Sequence, residues 1–348
     1  MNIRSRQTLS PSALRILAWT AVVVGFSTPL VRRRLRLPPP VVVLAAASAP
    51  VGLTIAKSRS RLRDTFIYAL QMWAYIATYQ MPYENPEKLM RRVKVDYPVK
   101  SDRLIGFGET PNVRLQRWLG RPGTVTQFDK FLTWTHWTWI LNPHLANVYI
   151  MFKHPERFSR ASAMVCGTFD VGALCYWVVP TAPPWWAAEA GKTPPVRRIM
   201  AEAGEEFWGR AWPGLEGFFG GNPVAAMPSL HFATSVMAAQ MLAETGPVAG
   251  VVGWTYALTL GFGLVYMGEH YVVDLVFGYA LVEFVKRIAP RISPLLEEIT
   301  GQLQALEARA SRAPPLRLRS LSSEIHANLV DLKSEVSAVV EGKLPTLR

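Results

Sequence analysis

The stretch "MGEHYVVDLVFGYALVEF", residues 267–284, is an apolar run of membrane length that opens on three ionisable groups, Glu269, His270 and Asp274. A charged side chain at a bilayer centre costs about 2.5 to 3.5 kcal/mol even on lenient insertion scales, so such groups face a bundle interior and have a function there. His270 and Asp274 are four residues apart and share one face at a helix start. A carboxylate so placed accepts a hydrogen bond from one imidazole nitrogen and leaves the other to act as base or nucleophile. Alone the pair is a weak signal. Six histidines and seven aspartates in 348 residues give some His-x-x-x-Asp by accident about once in ten such chains.

A second element strengthens it. "GNPVAAMPSLHFATSVMAAQML", residues 221–242, sets Pro228, Ser229 and His231 at the entry of another apolar run, with Ser229 where an N-capping residue would stand. A Pro-Ser-x-His string arises by chance about once in forty such chains, so the joint accident is below about one per cent. The order of the apolar runs also puts His231 and His270 at one membrane depth on one side.

Composition agrees with a membrane setting. Half of the residues are hydrophobic, 12 are Trp, and several runs approach the roughly 20 residues that cross a bilayer as a helix. Apolar runs at about 12–31, 38–56, 62–80, 127–151, 158–179, 229–244, 248–267 and 271–289 predict an all-α polytopic membrane helix bundle. Three parts follow: an apolar hairpin or pair of spans over 1–61, a six-helix core over 62–289, and an amphipathic helical tail over 290–348. The tail holds two helical patterns, "LLEEITGQLQALEARA" and "SSEIHANLVDLKSEVSAVVEG", which lie on lipid, pair with each other or meet an unidentified partner. His326 in the second reads as an ordinary solvated or packed histidine. The net charge of +13 suits anionic lipid headgroups rather than nucleic acid.

"KSRSRLR" (57–63), "KHPERFSR" (153–160) and "KRIAPR" (286–291) fall on one side, which the positive-inside rule makes cytoplasmic. The long segments 81–126 and 180–228, and with them the histidines, are then extracytoplasmic, as expected of a multi-pass plasma-membrane protein with a cytoplasmic tail. "RRRLR" (32–36) dissents, and Pro29, Pro38 to Pro40 and Pro50 make its flanking runs poor regular helices. The first run lacks the small-residue cleavage site of a signal peptide. Cys166 and Cys175 lie about 13 Å apart in a helix and cannot bridge.

The remaining polar groups have plainer readings. Asp170 is a buried donor's partner or part of the cavity, and His136, Asn142, His144 and Asn147 suit interhelical hydrogen bonds. Trp134, Trp137, Trp139, Trp185 and Trp186 suit an interfacial aromatic belt. No metal-ligand cluster or cofactor motif is visible.

"PSLH", followed 39 residues after its histidine by "HYVVD", resembles the second and third signature motifs of the type 2 phosphatidic acid phosphatase superfamily, membrane enzymes with a six-helix core. "YWVVPTAPPWW" (176–186), the Leu in "PSLH" and the "GEHYVVDL" wording look more like the inositol phosphorylceramide synthase branch and its bacterial relatives. "DRLIGFGETPNVRLQRWL" (102–119) resembles a loop upstream of the core in that branch. The resemblance spans about residues 62–289.

It implies catalysis through a phospho-histidine with no metal or other cofactor. His270 attacks the phosphorus of a phospholipid or polyprenyl phosphate, Asp274 orients it, and His231 protonates the departing oxygen. Ser229, with Pro228 and the helix start, would hold phosphate oxygens. The phosphatase branch normally carries an Arg where this chain has Leu264, and its first motif is missing near 176–198. Lys192, Arg197 and Arg198 are the candidates for the lost charge, and Glu269 for a headgroup hydroxyl. These departures favour a phosphotransferase moving a phospho-headgroup, such as inositol phosphate, to a lipid or sugar alcohol. The alternatives are a lipid phosphate phosphatase using water, or a noncatalytic binding or transport protein.

Overall fold

The computed structural model describes residues 9–80, 86–219 and 222–314. Among them the chain is helical, with isolated β-bridges in place of strands. The second tail pattern and His326 lie outside the described residues.

Helices α1 (Pro11–Leu35) and α2 (Pro39–Ala56) form an antiparallel pair. Small residues set their separation: a Cβ on Gly25 would lie 2.5 Å from the Ala45 carbonyl oxygen, and one on Gly52 2.5 Å from that of Ala18. Such close backbone approach is how helices associate where lipid removes the hydrophobic drive. Both are long and apolar enough to cross a bilayer. Helix α3 (Arg61–Gln80) runs alongside, its Trp73 indole donating to the Phe26 carbonyl at 3.1 Å.

The first long connection folds into α4 (Pro86–Met90), α5 (Asp96–Ile105) and α6 (Pro111–Leu119). The predicted run 127–151 is two helices, α7 (Gln127–Trp137) and α8 (Leu141–Lys153). A Thr126–Asp129 capping box starts α7, and Pro143 sits in the first turn of α8, where its missing N–H costs nothing. Helix α9 (Pro155–Val178) follows, then α10 (Pro184–Glu189), α11 (Ile199–Trp208) and α12 (Trp212–Phe219) in the second long connection.

Helix α13 (Leu230–Ala243) is buried over most of its circumference, the mark of a central helix. It packs against α8, α9, α14 (Pro247–Tyr266) and α15 (Val272–Ala310). Its Val236 and Met237 share one apolar core with Phe169 of α9 and Val282 of α15. With α1 and α2, α9 and α14 also meet the length and apolarity of a span, so the molecule is a polytopic helical bundle. The other apolar runs are shorter or carry more charge.

Gln71 donates to Asp170 at 2.8 Å and the Trp177 indole to the Thr78 carbonyl at 3.1 Å, so α3 and α9 run parallel. Asp170 is thus a buried donor's partner. Arg160 pairs with Glu244, and Gln240 with Glu283 at 3.1 Å, at the end opposite to His231 and His270. The basic segments 57–63, 153–160 and 286–291 gather at that end. The dissenting Arg32–Arg36 cluster closes α1 at the histidine end.

Helix α15, 39 residues long in all, continues past the expected boundary at 290 through Pro290 and Pro294 to Ala310. At 1.5 Å per residue it measures about 58 Å, far beyond the roughly 30 Å hydrocarbon layer. Its distal part packs on the ends of α1 to α3. Glu307 meets Arg63 at 3.1 Å and the Arg59 N–H at 3.1 Å, and Arg15 donates to the Pro314 carbonyl at 2.8 Å.

Candidate active site

His270 sits in the tight turn between α14 and α15. The Leu264 carbonyl closes that turn by accepting from the Glu269 and His270 N–H groups at 3.0 and 3.1 Å. Gly268 makes it possible: its φ of +80° suits glycine, and a Cβ there would lie 2.6 Å from Val196. Asp274, in the first turn of α15, accepts from the Tyr271 N–H at 2.8 Å and contacts His270 Nδ1 at 3.3 Å through the same Oδ2. The i, i+4 spacing therefore does place carboxylate against imidazole. His270 Nε2 faces away from Asp274 and lies 3.1 Å from His231 Nδ1.

Ser229 caps α13 by accepting from the Phe232 N–H at 3.3 Å, and its own N–H donates to the Asp274 carbonyl at 3.0 Å. A Cβ on Gly278 would come within 2.8 Å of the Ser229 carbonyl, so α13 and α15 meet closely here. The Pro228 carbonyl accepts from the buried Tyr176 hydroxyl at 2.8 Å. The two motifs, 39 residues apart in sequence, are thus fastened together by backbone as well as by side chains.

Two neighbours carried no motif signal. His136, read as an interhelical hydrogen-bonding residue, instead lies against His231 with ring centroids 4.7 Å apart and the rings tilted by 36°, and its buried Nδ1 has no hydrogen-bond partner. Trp139, assigned to an interfacial belt, lies 4.2 Å from the His231 ring and donates to Thr234 Oγ1 at 2.9 Å. Trp137 is also buried, among Trp208 and Trp212. Only the break between α7 and α8 brings His136 and Trp139 onto the central helix. By contrast His144 and Asn147 do make the expected interhelical bonds, both to the Tyr68 hydroxyl, at 2.7 and 3.0 Å.

The cations stand further out. Lys192 is exposed and pairs with Asp96 at 3.1 Å; Arg197 pairs with Glu202; Arg198 pairs with Glu216 at 3.0 Å and lies 3.9 Å over the Trp185 ring. Arg198 keeps its buried Nε without a hydrogen-bond partner. Leu264, standing where an Arg was looked for, is fully buried. Burial pushes the Glu269 carboxyl up to about 7, with Arg198 pulling the other way. Burial likewise lowers His270 to about 4, against a smaller opposing effect of a hydrogen bond to the Ala226 backbone. Among the described residues no cluster of His, Cys, Asp and Glu is arranged to hold a metal ion.

Two more groups from the first long connection grip the His270 turn. Asp102 is fully buried and its two oxygens accept from the Val272 and Val273 N–H groups, both at 2.9 Å. Asn112 donates to the carbonyls of Val265 and His270, both at 2.8 Å. Gln116 bonds Tyr266 and Arg197, tying the second connection to the same turn. A loop of this polarity gave no local hint that Asp102 and Asn112 would be buried.

Paired histidines in contact at one end of a buried helix suit the phosphotransfer chemistry of a membrane-embedded phosphatase or phosphotransferase. A family model described as the PAP2 superfamily matches residues 99–285, more than half of the chain, and the chain belongs to that superfamily. The matched stretch begins inside α5 and ends inside α15, taking in Asp102, Asn112 and both histidine motifs; α3 lies before it. No curated protein and no solved structure matches the chain.

Proposed function

We propose that the protein transfers a phosphoryl or phospho-headgroup from a lipid-linked phosphate through a phospho-histidine on His270. The observation carrying this is the His231–His270–Asp274 line of contacts at 3.1 and 3.3 Å. With Nδ1 hydrogen-bonded to Asp274, His270 presents the Nε2 lone pair. A phosphate entering between the rings replaces the His231–His270 bond. His270 Nε2 forms the bond to phosphorus as the bond to the lipid oxygen breaks, and His231, entering as the imidazolium beside the anionic phosphate, gives that oxygen its proton. In the second half His231 takes the proton of an acceptor hydroxyl, whose oxygen displaces His270 from phosphorus. Ser229 and the free N–H groups at the start of α13 hold the equatorial oxygens.

The acceptor is an alcohol, as in the inositol phosphorylceramide synthase branch. The wording around "PSLH" and "GEHYVVDL" and the buried Leu264 support this over plain hydrolysis. Glu269, beside the nucleophile, is the group to bind a headgroup hydroxyl. The basic segments at the far end favour a site on the extracytoplasmic face of the plasma membrane, with 290–348 cytoplasmic. The six-helix part over 62–289 carries the chemistry and 1–61 is its flanking hairpin.

Phosphate-labelled phospholipids and polyprenyl phosphates, offered to purified protein in liposomes with and without alcohol acceptors, test this beside His270→Ala and His231→Ala. Label passing to an alcohol in the intact protein and in neither variant is the expected result. Release as inorganic phosphate alone would make it a phosphatase, and turnover surviving in His270→Ala would overturn the phospho-histidine.

A further inference from the structure

The connection between α5 and α6 carries an apolar tip that the fold does not use. Phe107 is 93 % exposed and Leu104 81 %, with Ile105 beside them and Trp118 exposed at the end of α6. Phe107 also holds a φ of +54°, a left-handed conformation that costs a bulky residue about 1 kcal/mol or more. The backbone bonds Phe107 N–H to Leu104 and Gly108 N–H to Arg103 fix that turn. An ordered turn that holds a strained Phe out of the protein implies an apolar partner outside it.

The surroundings identify the partner as lipid. Lys100, Arg103, Arg114 and Arg117 surround the tip, with Glu109 paired to the last two. Basic residues beside apolar and Trp side chains are the composition of a segment lying at a headgroup boundary. The tip also adjoins the start of α15. Asp102, two residues before Leu104, caps α15 at Val272 and Val273, and the exposed Val276 and Phe277 begin one turn further along that helix.

The same hairpin holds the His270 turn at Asp102 and Asn112. We propose that the Leu104–Phe107 tip inserts into the bilayer leaflet at the candidate-site end, and that this docking steadies the turn carrying His270 through Asp102 and Asn112. Asp102 and Asn112 are positioning residues in this scheme, since they touch the turn and not the phosphate. The insertion stands on the exposed tip alone; its consequence for catalysis rests on the phosphotransfer reading above.

Two measurements separate these parts. Phe107→Cys, in a chain whose Cys166 and Cys175 are replaced by Ala, is labelled with an environment-sensitive fluorophore and placed in phosphatidylcholine–phosphatidylglycerol nanodiscs. Quenching by doxyl-labelled lipid with protection from aqueous iodide is expected; quenching by iodide alone overturns insertion. The Leu104→Ser, Phe107→Ser double variant is then compared with the unaltered chain on a bilayer-embedded lipid phosphate and on a monomeric short-chain analogue. With the protein in nanodiscs throughout, loss of two apolar anchors loosens the turn that carries His270 and predicts a fall of roughly tenfold on both substrates. A fall confined to the embedded substrate, or no fall on either, overturns the coupling. If the unaltered chain turns over neither substrate, the phosphotransfer reading and the catalytic consequence fall with it, and the quenching result still decides insertion.

Discussion

His270 is held neutral by its surroundings, and that has consequences at two levels. Burial brings its pKa from the ordinary 6.5 to about 4. As the nucleophile must be unprotonated, the acidic limb of kcat/KM is expected well below the usual histidine range, and a pH profile of the free enzyme reads it. A limb centred at 6.5 or above would show that burial does not govern this group. For stability the sign follows from linkage: the unfolded chain binds a proton between pH 6.5 and 4 that the folded chain refuses, so this contribution is lost as pH falls through that window. Asp274→Asn keeps the size of the carboxylate but offers an amide to His270 Nδ1. Loss of the correct tautomer predicts a kcat lower by about 10³ to 10⁴ with little change in thermal stability, measured by single-turnover kinetics and a melting curve.

At the scale of elements, close helix approach and helix capping do most of the positioning. The α1–α2 pair depends on Gly25 and Gly52, where added side chains collide with carbonyl oxygens. Gly25→Leu is expected to cost about 1–3 kcal/mol by overpacking and to lower the midpoint of thermal unfolding in detergent. Unchanged melting would mean that the pair is not packed as described. Asp102 does for α15 what a cap does, but from another element, and accepts two N–H groups at once. Burial raises its carboxyl to about 6, partly offset by those bonds. Asp102→Ala leaves both N–H groups without this acceptor and predicts a loss of about 1–2 kcal/mol. Hydrogen exchange should quicken first at the amides of Val272 and Val273; uniform exchange behaviour would argue against the cap.

Over the whole molecule, α15 runs from the candidate site at its start to the basic end, where its distal half packs on α1 and α3. Arg63 is nearly buried between Asp64 and Glu307, and Arg15 holds the carbonyls of Ala313 and Pro314. Glu307→Ala removes the acceptor for both Arg63 and the Arg59 N–H. We expect a loss of about 1–3 kcal/mol, read as faster amide exchange over 296–310, with turnover at the distant histidines unaltered. Slower turnover in this variant would mean that the two ends are coupled along α15.

Membrane character, helical class, the His270–Asp274 pair and its partnership with Ser229 and His231 were all legible in the chain itself. Apolar run length, i, i+4 spacing and N-cap chemistry are local properties that survive in one dimension. The split of 127–151, the placing of His136 and Trp139 on His231, and the burial of Asp102 and Asn112 were not legible. Each depends on which helix faces which, and no local pattern encodes that. A polar loop such as 102–119 reads as solvated until the turn it grips is known. The continuous run of α15 through two prolines is of the same kind, because contacts with Arg15, Arg59 and Arg63 stabilise what local propensity disfavours. Sequence determined the chemistry available to this protein; tertiary packing decided which groups share the site, because burial and hydrogen bonding between distant segments exist only once the helices have assembled.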